Sequence, residues 1–320
     1  MKIEGDYPER GRLKTGLFSL DQSLRWVRPN GKISVGVPLR NIVILYGKRH
    51  CGKSSLAYYL AGRHRVDGTV SLCDIEGLDI DYLHYAFPQS GFDGVIRIIP
   101  EGTRKEPRMH HDMLNDMVDD LDTPEVSAAI FDSVSAYVPS TEHSGDVGEA
   151  FVGKRAKDMA QIARRATQRL RSAEEDKNLY IINHPYQRIG GHGHTIAGGD
   201  VMGNLAGTMI YMWRKDSQLI ASRPDDHFMA EGKIEKNRYG GKGGSFKVVY
   251  LAGHGVHRGL TSIYDAMDLD IITKKKGGYM SLGDVSLGRF SSLIDAASAG
   301  EEDVFNPVYE ALDKYEKEMT

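Results

Sequence analysis

The chain has 320 residues, 40% hydrophobic and 27% charged, with a formal net charge of −3. That is the make-up of an ordinary soluble globular protein, long enough for one large α/β domain and a small appendage, and it excludes a global basic field, so any nucleic-acid contact must use local patches. The two cysteines, Cys51 and Cys73, fall inside segments read as core, which excludes a disulfide framework and a structural zinc site, and no apolar run approaches the ~20 residues of a membrane helix.

Residues 1–12 are charged and lack the apolar stretch of a signal peptide, so a reducing, cytoplasmic setting is expected. Residues 41–46 (NIVILY) then read as a short buried strand. A helix is expected over 53–63, a strand over 69–73 and a helix over 79–87. A strand over 95–99, a helix over 109–121 and a strand over 126–131 follow, then a long helix over 151–177 and a strand over 179–183. This alternation predicts a mainly parallel sheet with helices on both faces. Residues 190–199, rich in Gly and His, read as a mobile loop. Strands over 208–213, 232–235 and 246–251 look like an antiparallel extension, and the chain from 261 onward reads as a small C-terminal α/β domain ending in an amphipathic stretch over 304–319. The run Lys274–Lys276 and the following Gly277-Gly278 suit an exposed turn.

The segment Gly47-Lys48-Arg49-His50-Cys51-Gly52-Lys53-Ser54 fits G-x-x-x-x-G-K-[ST] between the first strand and the first long helix. Glycines allow backbone N–H groups to turn around a phosphate, and the helix that opens at Lys53 directs its positive end at it. Lys53 would reach the β and γ phosphates, the Ser54 hydroxyl would take a place on Mg²⁺, and Ser55 completes the loop's edge. A nucleotide hydrolase also needs an acid at the end of another buried strand, and VSAAIFD supplies Asp132 as a second Mg²⁺ ligand. Asp74 and Glu76, again at a strand end, are both placed to polarise the attacking water.

These residues resemble the RecA family of DNA recombinases. KTGLFSLD at 14–21, GVPLRNIV at 36–43 and the P-loop resemble the opening of its ATPase core. CDIEGLDIDY at 73–82 and IFDSVSAYVP at 130–139 resemble its second-strand and Walker B regions. IINH at 181–184 followed by Gly198-Gly199, and GKIEKNR at 232–238, resemble the approach to the second DNA loop and the late K-N-K strand. The matches run in family order from about Lys14 to Gly259. The resemblance implies a RecA-like P-loop ATPase core over 14–260, a short N-terminal segment over 1–13 and a small C-terminal domain over 261–320. It implies ATP and Mg²⁺ as cofactors and Glu76, rather than Asp74, as the catalytic carboxylate. Tyr82 would stack on adenine with Asp79 near its amino group, and His184 would lie by the γ-phosphate. Lys236 and Arg238 would reach the ATP of a neighbouring subunit, stabilising charge on the transferring phosphoryl. The implied protein is a homo-oligomer, a helical filament on single-stranded DNA that exchanges strands with double-stranded DNA, with a single-strand-binding protein or mediator as accessory partner and no membrane role.

Residues 140–153 and 185–200 match the family's two DNA loops. In the second, Arg188, His192 and His194 suit phosphate contacts, Ile189 and Ile196 suit wedges between base steps, and Gly198 and Gly199 close the loop. In the long helix, Met159, Ile162, Ala163, Ala166 and Leu170 form one apolar stripe. Lys157, Arg164 and Arg171 fall on another face, with Lys154, Arg155, Arg165 and Arg169 nearby, the densest basic stretch of the chain; DNA contact and a plain solvated face are both open.

Three features depart from the family pattern. His184 stands where glutamine is usual, so the coupling of ATP to DNA is expected to vary with pH. Lys48 and Arg49 make the P-loop unusually basic, and residues 1–13 leave little room for the helix that docks on an adjacent subunit, as in a virus-encoded relative. A RecA-fold helicase, a clock-type ATPase and a non-catalytic recombination mediator are the competing readings. The K-N-R segment and the intact P-loop, Asp132 and Glu76 weigh against them.

Overall fold

In β1, Asn41–Gly47, every residue is buried. Alternate side chains of a strand leave on opposite faces, and here both faces are covered. Val43 and Leu45 join one apolar cluster with helix α2 (Lys53–Gly62) and α3 (Ile80–Ala86). Ile42, Ile44 and Tyr46 join another with α4 (His110–Asp120) and α5 (Lys154–Ser172). The structure, a computed structural model, describes residues 11–28, 30–103, 105–139, 153–187, 194–215, 227–241 and 243–319.

Around β1 the chain adds β2 (Thr69–Asp74), β3 (Val95–Ile98), β4 (Val126–Asp132), β5 (Asn178–Asn183), β6 (Thr208–Lys215), β7 (His227–Asn237), β8 (Ser245–Leu251) and β9 (Gly255–Val256). They form one nine-stranded sheet in the order β9-β8-β7-β6-β1-β5-β4-β2-β3. The strands from β6 to β3 pair in parallel, and β7, β8 and β9 extend the sheet antiparallel. This is the mainly parallel sheet with helices on both faces expected from the alternation of strands and helices, and the α/β core that the resemblance to the RecA family implies. The connections between parallel strands leave all their C-terminal ends on one edge, where the P-loop, Asp74, Asp132 and Asn183 gather.

A third cluster joins Met229, Val249 and Leu251 of the antiparallel extension to α7 (Arg258–Asp268), α8 (Phe290–Ser298) and α9 (Asn306–Glu318). A three-stranded sheet, Ile272–Lys274, Tyr279–Leu282 and Val285–Arg289, packs there too. A division at 260/261 therefore falls inside α7. The Lys275 and Gly278 backbones close the exposed turn with hydrogen bonds to Tyr279 and Lys275.

Three expectations need correction. The long helix expected to 177, α5, ends at Ser172, where Ala173 is extended. Arg40 holds the next stretch out of the helix through Asp176 and the Glu174 carbonyl, and the buried Lys177 amine donates to the Leu121 and Thr123 carbonyls. The loop expected over 190–199 is partly regular: His194–Ile196 pairs with Pro185–Gln187, and α6 (Gly199–Leu205) begins at Gly199. Ile196, expected as a wedge between bases, is buried in the cluster under α5 and α6. Arg188, Ile189 and His192, and residues 140–152 of the first loop, lie outside the described residues.

Candidate nucleotide site

The turn from β1 into α2 is shaped by two glycines. At Gly47 (φ 147°) a Cβ would sit 1.9 Å from the Met212 carbonyl oxygen. At Gly52 (φ 80°) it would strike the Tyr250 ring at 2.4 Å. Only glycine allows the backbone to pass this close. The turn opens into a cleft of about 890 Å³, lined by Gly47, Lys48, Arg49, His50, Gly52, Lys53, Ser54 and Ser55 on one side. Glu76, Ser135, His184 and Tyr186 line its other side. Cys51 alone of the loop faces the core, its thiol donating to the Lys48 carbonyl at 3.0 Å, and burial pushes its pKa up.

Lys53 is buried, and its ammonium donates to the Lys48 carbonyl at 2.8 Å. Burial depresses its pKa, partly offset by Cys51, Asp132 and Glu76. A lone carbonyl is a weak partner for a buried ammonium, which a phosphate would outcompete. Asp132 ends β4 beneath Ser54. One of its oxygens, Oδ1, is buried with no hydrogen-bond partner among the described residues, while Oδ2 accepts from the Tyr58 hydroxyl at 3.3 Å. Burial raises this carboxyl to about 6, against the hydrogen bond from Tyr58, with Glu76 and Asp74 pushing it further up. An orphaned, strongly desolvated carboxylate oxygen beside a serine hydroxyl fits a Mg²⁺ held by Ser54, Asp132 and nucleotide phosphates.

The geometry separates the two acids after β2. Asp74 is buried and turned back on its own loop, where it accepts from the Glu76 and Leu78 backbone N–H groups. Glu76 is free of that duty and faces the cleft, its Oε1 accepting from the Ser133 hydroxyl, with Ser135 Oγ 3.3 Å away. His184 Nε2 is 3.9 Å from the same oxygen. Burial, then Lys53 and Arg49, lower the His184 pKa below 6.5, while Glu76 opposes.

Two residues expected at the base lie elsewhere. Asp79 caps α3 by accepting from the Asp81 N–H, and Tyr82 packs beside Tyr58 with its hydroxyl 2.5 Å from Ser55 Oγ. Neither lines the cleft. Lys236 and Arg238 are also outside it. Lys236 stands opposite Met209, which pairs with Ile44, at the end of the sheet away from the Met212–Gly47 row where the P-loop starts. Its ammonium donates to the Gly203 and Asn204 carbonyls, and Arg238 also donates to Asn204, so both grip the C-terminal turn of α6. Gly198 and Gly199 turn the chain into that helix with φ of 89° and 78°. Sequence reasoning passed over Tyr58, Ser133 and Ser135 as site residues. Their signals, a tyrosine one turn into the P-loop helix and serines just past the β4 acid, have meaning only once β4 lies beside α2.

The basic face of α5 is sharply divided. Arg165 and Arg169 are tied to Asp119 and Asp122 of α4. Lys157, Arg164 and Arg171 are exposed and form no ion pair with a described residue. They recur every seven residues, roughly 10 Å apart along one side of the helix.

A family model described as the RecA N-terminal domain matches residues 14–238. Protein RecA of Porphyromonas gingivalis is 26% identical over 287 residues, covering 82% of this chain and 77% of its own. Protein RecA of Streptococcus sanguinis is 26% identical over 293 residues, covering 85% and 70%. Protein RecA of Pseudarthrobacter chlorophenolicus is 27% identical over 277 residues, covering 82% and 74%. The family match spans well over half of the sequence and includes the P-loop, Glu76, Asp132 and the K-N-R segment, and the chain belongs to the RecA family.

Proposed function

We propose that the protein is an ATP-dependent recombinase, a DNA-dependent ATPase that forms a helical filament on single-stranded DNA and exchanges strands with a homologous duplex. The observation that carries this reading is the split of its catalytic equipment. A phosphate cleft with Lys53, Ser54, Glu76 and Asp132 lies at one edge of the sheet, and the cations Lys236 and Arg238 lie at the other. A cation that is remote from its own nucleotide suits one that serves a neighbour's, which makes hydrolysis depend on assembly.

In the cleft, the P-loop N–H groups and Lys53 bind the phosphates and neutralise the γ-phosphoryl. Bound Mg²⁺, held by Ser54 and Asp132, supplies further charge compensation on the phosphate oxygens. Glu76 orients the attacking water and accepts its proton. Lys236 and Arg238 of the adjacent subunit complete the charge around the phosphoryl group.

On the DNA side, Lys157, Arg164 and Arg171 offer one continuous cationic rail that reads backbone and not sequence, as a general recombinase requires. Of the second-loop residues, Arg188, His192 and His194 would add phosphate contacts and Ile189 would supply base spacing. Neutralising phosphates in this way makes affinity fall steeply with salt. The test is formation of joint molecules between a circular single strand and a homologous linear duplex, with ATP and Mg²⁺. Homology-dependent joint molecules support the proposal; ATP-dependent unwinding without pairing would replace it with a helicase.

A further inference from the structure

Glu76 Oε1 is approached by more donors than a lone water-activating carboxylate needs. The Ser133 hydroxyl donates to it, Ser135 Oγ lies 3.3 Å from it, and the two serine oxygens are 2.6 Å apart. A serine hydroxyl has one proton to donate. Since the Ser133 proton goes to Glu76, the short contact between the serines must be donated by Ser135. The result is a directed chain from Ser135 to Ser133 to Glu76 Oε1, in which each bond polarises the next. Among the described residues, no side chain or backbone group hydrogen bonds Oε2.

The chain has a mechanical consequence. Glu76 is 44% exposed and is followed by Gly77, where a Cβ would meet no atom within 4 Å. Nothing in its own loop fixes the side chain. Ser133 is fully buried, and Ser135 sits in the short 3-10 turn Val134–Ala136 directly after Asp132. The turn that carries the Mg²⁺-side carboxylate therefore also carries the clamp on the water-side carboxylate, and it fixes their relative position.

Resting on the proposed function, we propose that Ser135 is a positioning residue for hydrolysis. It fixes the Ser133 rotamer that pins Glu76 Oε1 and so presents Oε2 to the attacking water. In that step the water oxygen bonds to the γ-phosphorus, and its proton passes to Glu76 Oε2. The bond from the γ-phosphorus to the bridging oxygen breaks, and its electron pair leaves with ADP. Neither serine gains or loses a proton.

The test is steady-state ATP hydrolysis with single-stranded DNA by wild type, Ser135→Ala and Ser135→Thr, with thermal melting to establish folding and a fluorescent ATP analogue to read binding. Loss of the hydrogen bond that orients Ser133 against Glu76 predicts a kcat about tenfold lower in Ser135→Ala. KM and analogue binding stay within about twofold, because the residue acts through Ser133 and Glu76. Ser135→Thr, which keeps the hydroxyl, recovers most of the rate. Wild-type kcat in Ser135→Ala, an equal loss in Ser135→Thr, or a raised KM at unchanged kcat would each overturn the clamp. A wild-type protein with no DNA-stimulated turnover would instead sink the parent function, and the clamp with it.

Discussion

Asp132→Asn separates stability from function in a way that the structure quantifies. Burial lifts the Asp132 carboxyl from 3.8 to about 6. A carboxyl whose folded pKa lies above its unfolded one binds more protons folded than unfolded between those values. Its ionisation therefore lowers stability as pH rises from about 4 to 6, and the full cost is present above that window. At about 1.4 kcal/mol per pH unit, the cost is about 3 kcal/mol at pH 8 and about half that at pH 5. Asparagine keeps the shape, and its Oδ1 can still accept from Tyr58. The unliganded variant should therefore be more stable than wild type, by roughly 5 °C in melting temperature at pH 8 and by less at pH 5. With Mg²⁺ and a non-hydrolysable ATP analogue the order should reverse, because only wild type gains the full stabilisation of ligand binding. Thermal melts at the two pH values, with and without ligand, supply all four numbers. A variant destabilised equally at pH 5 and pH 8 would refute the reasoning, since Asp132 would then be a structural acid.

Other perturbations probe the remaining parts. His184 titrates below 6.5, so His184→Gln should match wild type in DNA-stimulated hydrolysis between pH 7 and 8 and diverge at more acidic pH, where the wild-type imidazole gains its proton; superimposable pH profiles would remove His184 from the coupling of ATP to DNA. Arg164→Glu should weaken binding to single-stranded DNA of any sequence and reduce the salt slope of log K by at least ~0.7, read by fluorescence anisotropy across a salt series. Leu170, 1% exposed in the cluster between α5 and the sheet, should cost about 2–5 kcal/mol when truncated to alanine, measured by urea denaturation, while nucleotide binding by the folded fraction persists.

The elements most legible in the sequence were those whose signal is local. NIVILY is apolar throughout because β1 is covered on both faces, and the glycines of the P-loop announce backbone that other residues cannot adopt. The acids after β2 and β4 were visible by position, yet Asp74 and Glu76 could not be told apart until the loop folded back and consumed Asp74. What stayed hidden depends on partners distant in sequence. Tyr58 is 74 residues from Asp132, and the serine clamp spans 57 residues from Ser133 to Glu76. Residues 173–177 carry helix-compatible side chains, but Arg40 and the buried Lys177 amine hold them in a loop. Ile196 reads as an exposed wedge within a Gly-rich stretch, and only the Pro185–Gln187 pairing carries it into the core. The remoteness of Lys236 from the P-loop is likewise a matter of strand register, which composition does not encode.

The measurement that tests the central claim most directly is ATP hydrolysis by the wild-type protein with and without single-stranded DNA, beside a Lys53→Ala control. The account predicts strong stimulation by single strands, cooperative in protein concentration because Lys236 and Arg238 would act on a neighbour's nucleotide, and its loss in the control. Hydrolysis indifferent to DNA and linear in protein concentration would contradict it and point to a clock-type or regulatory ATPase built on the same core.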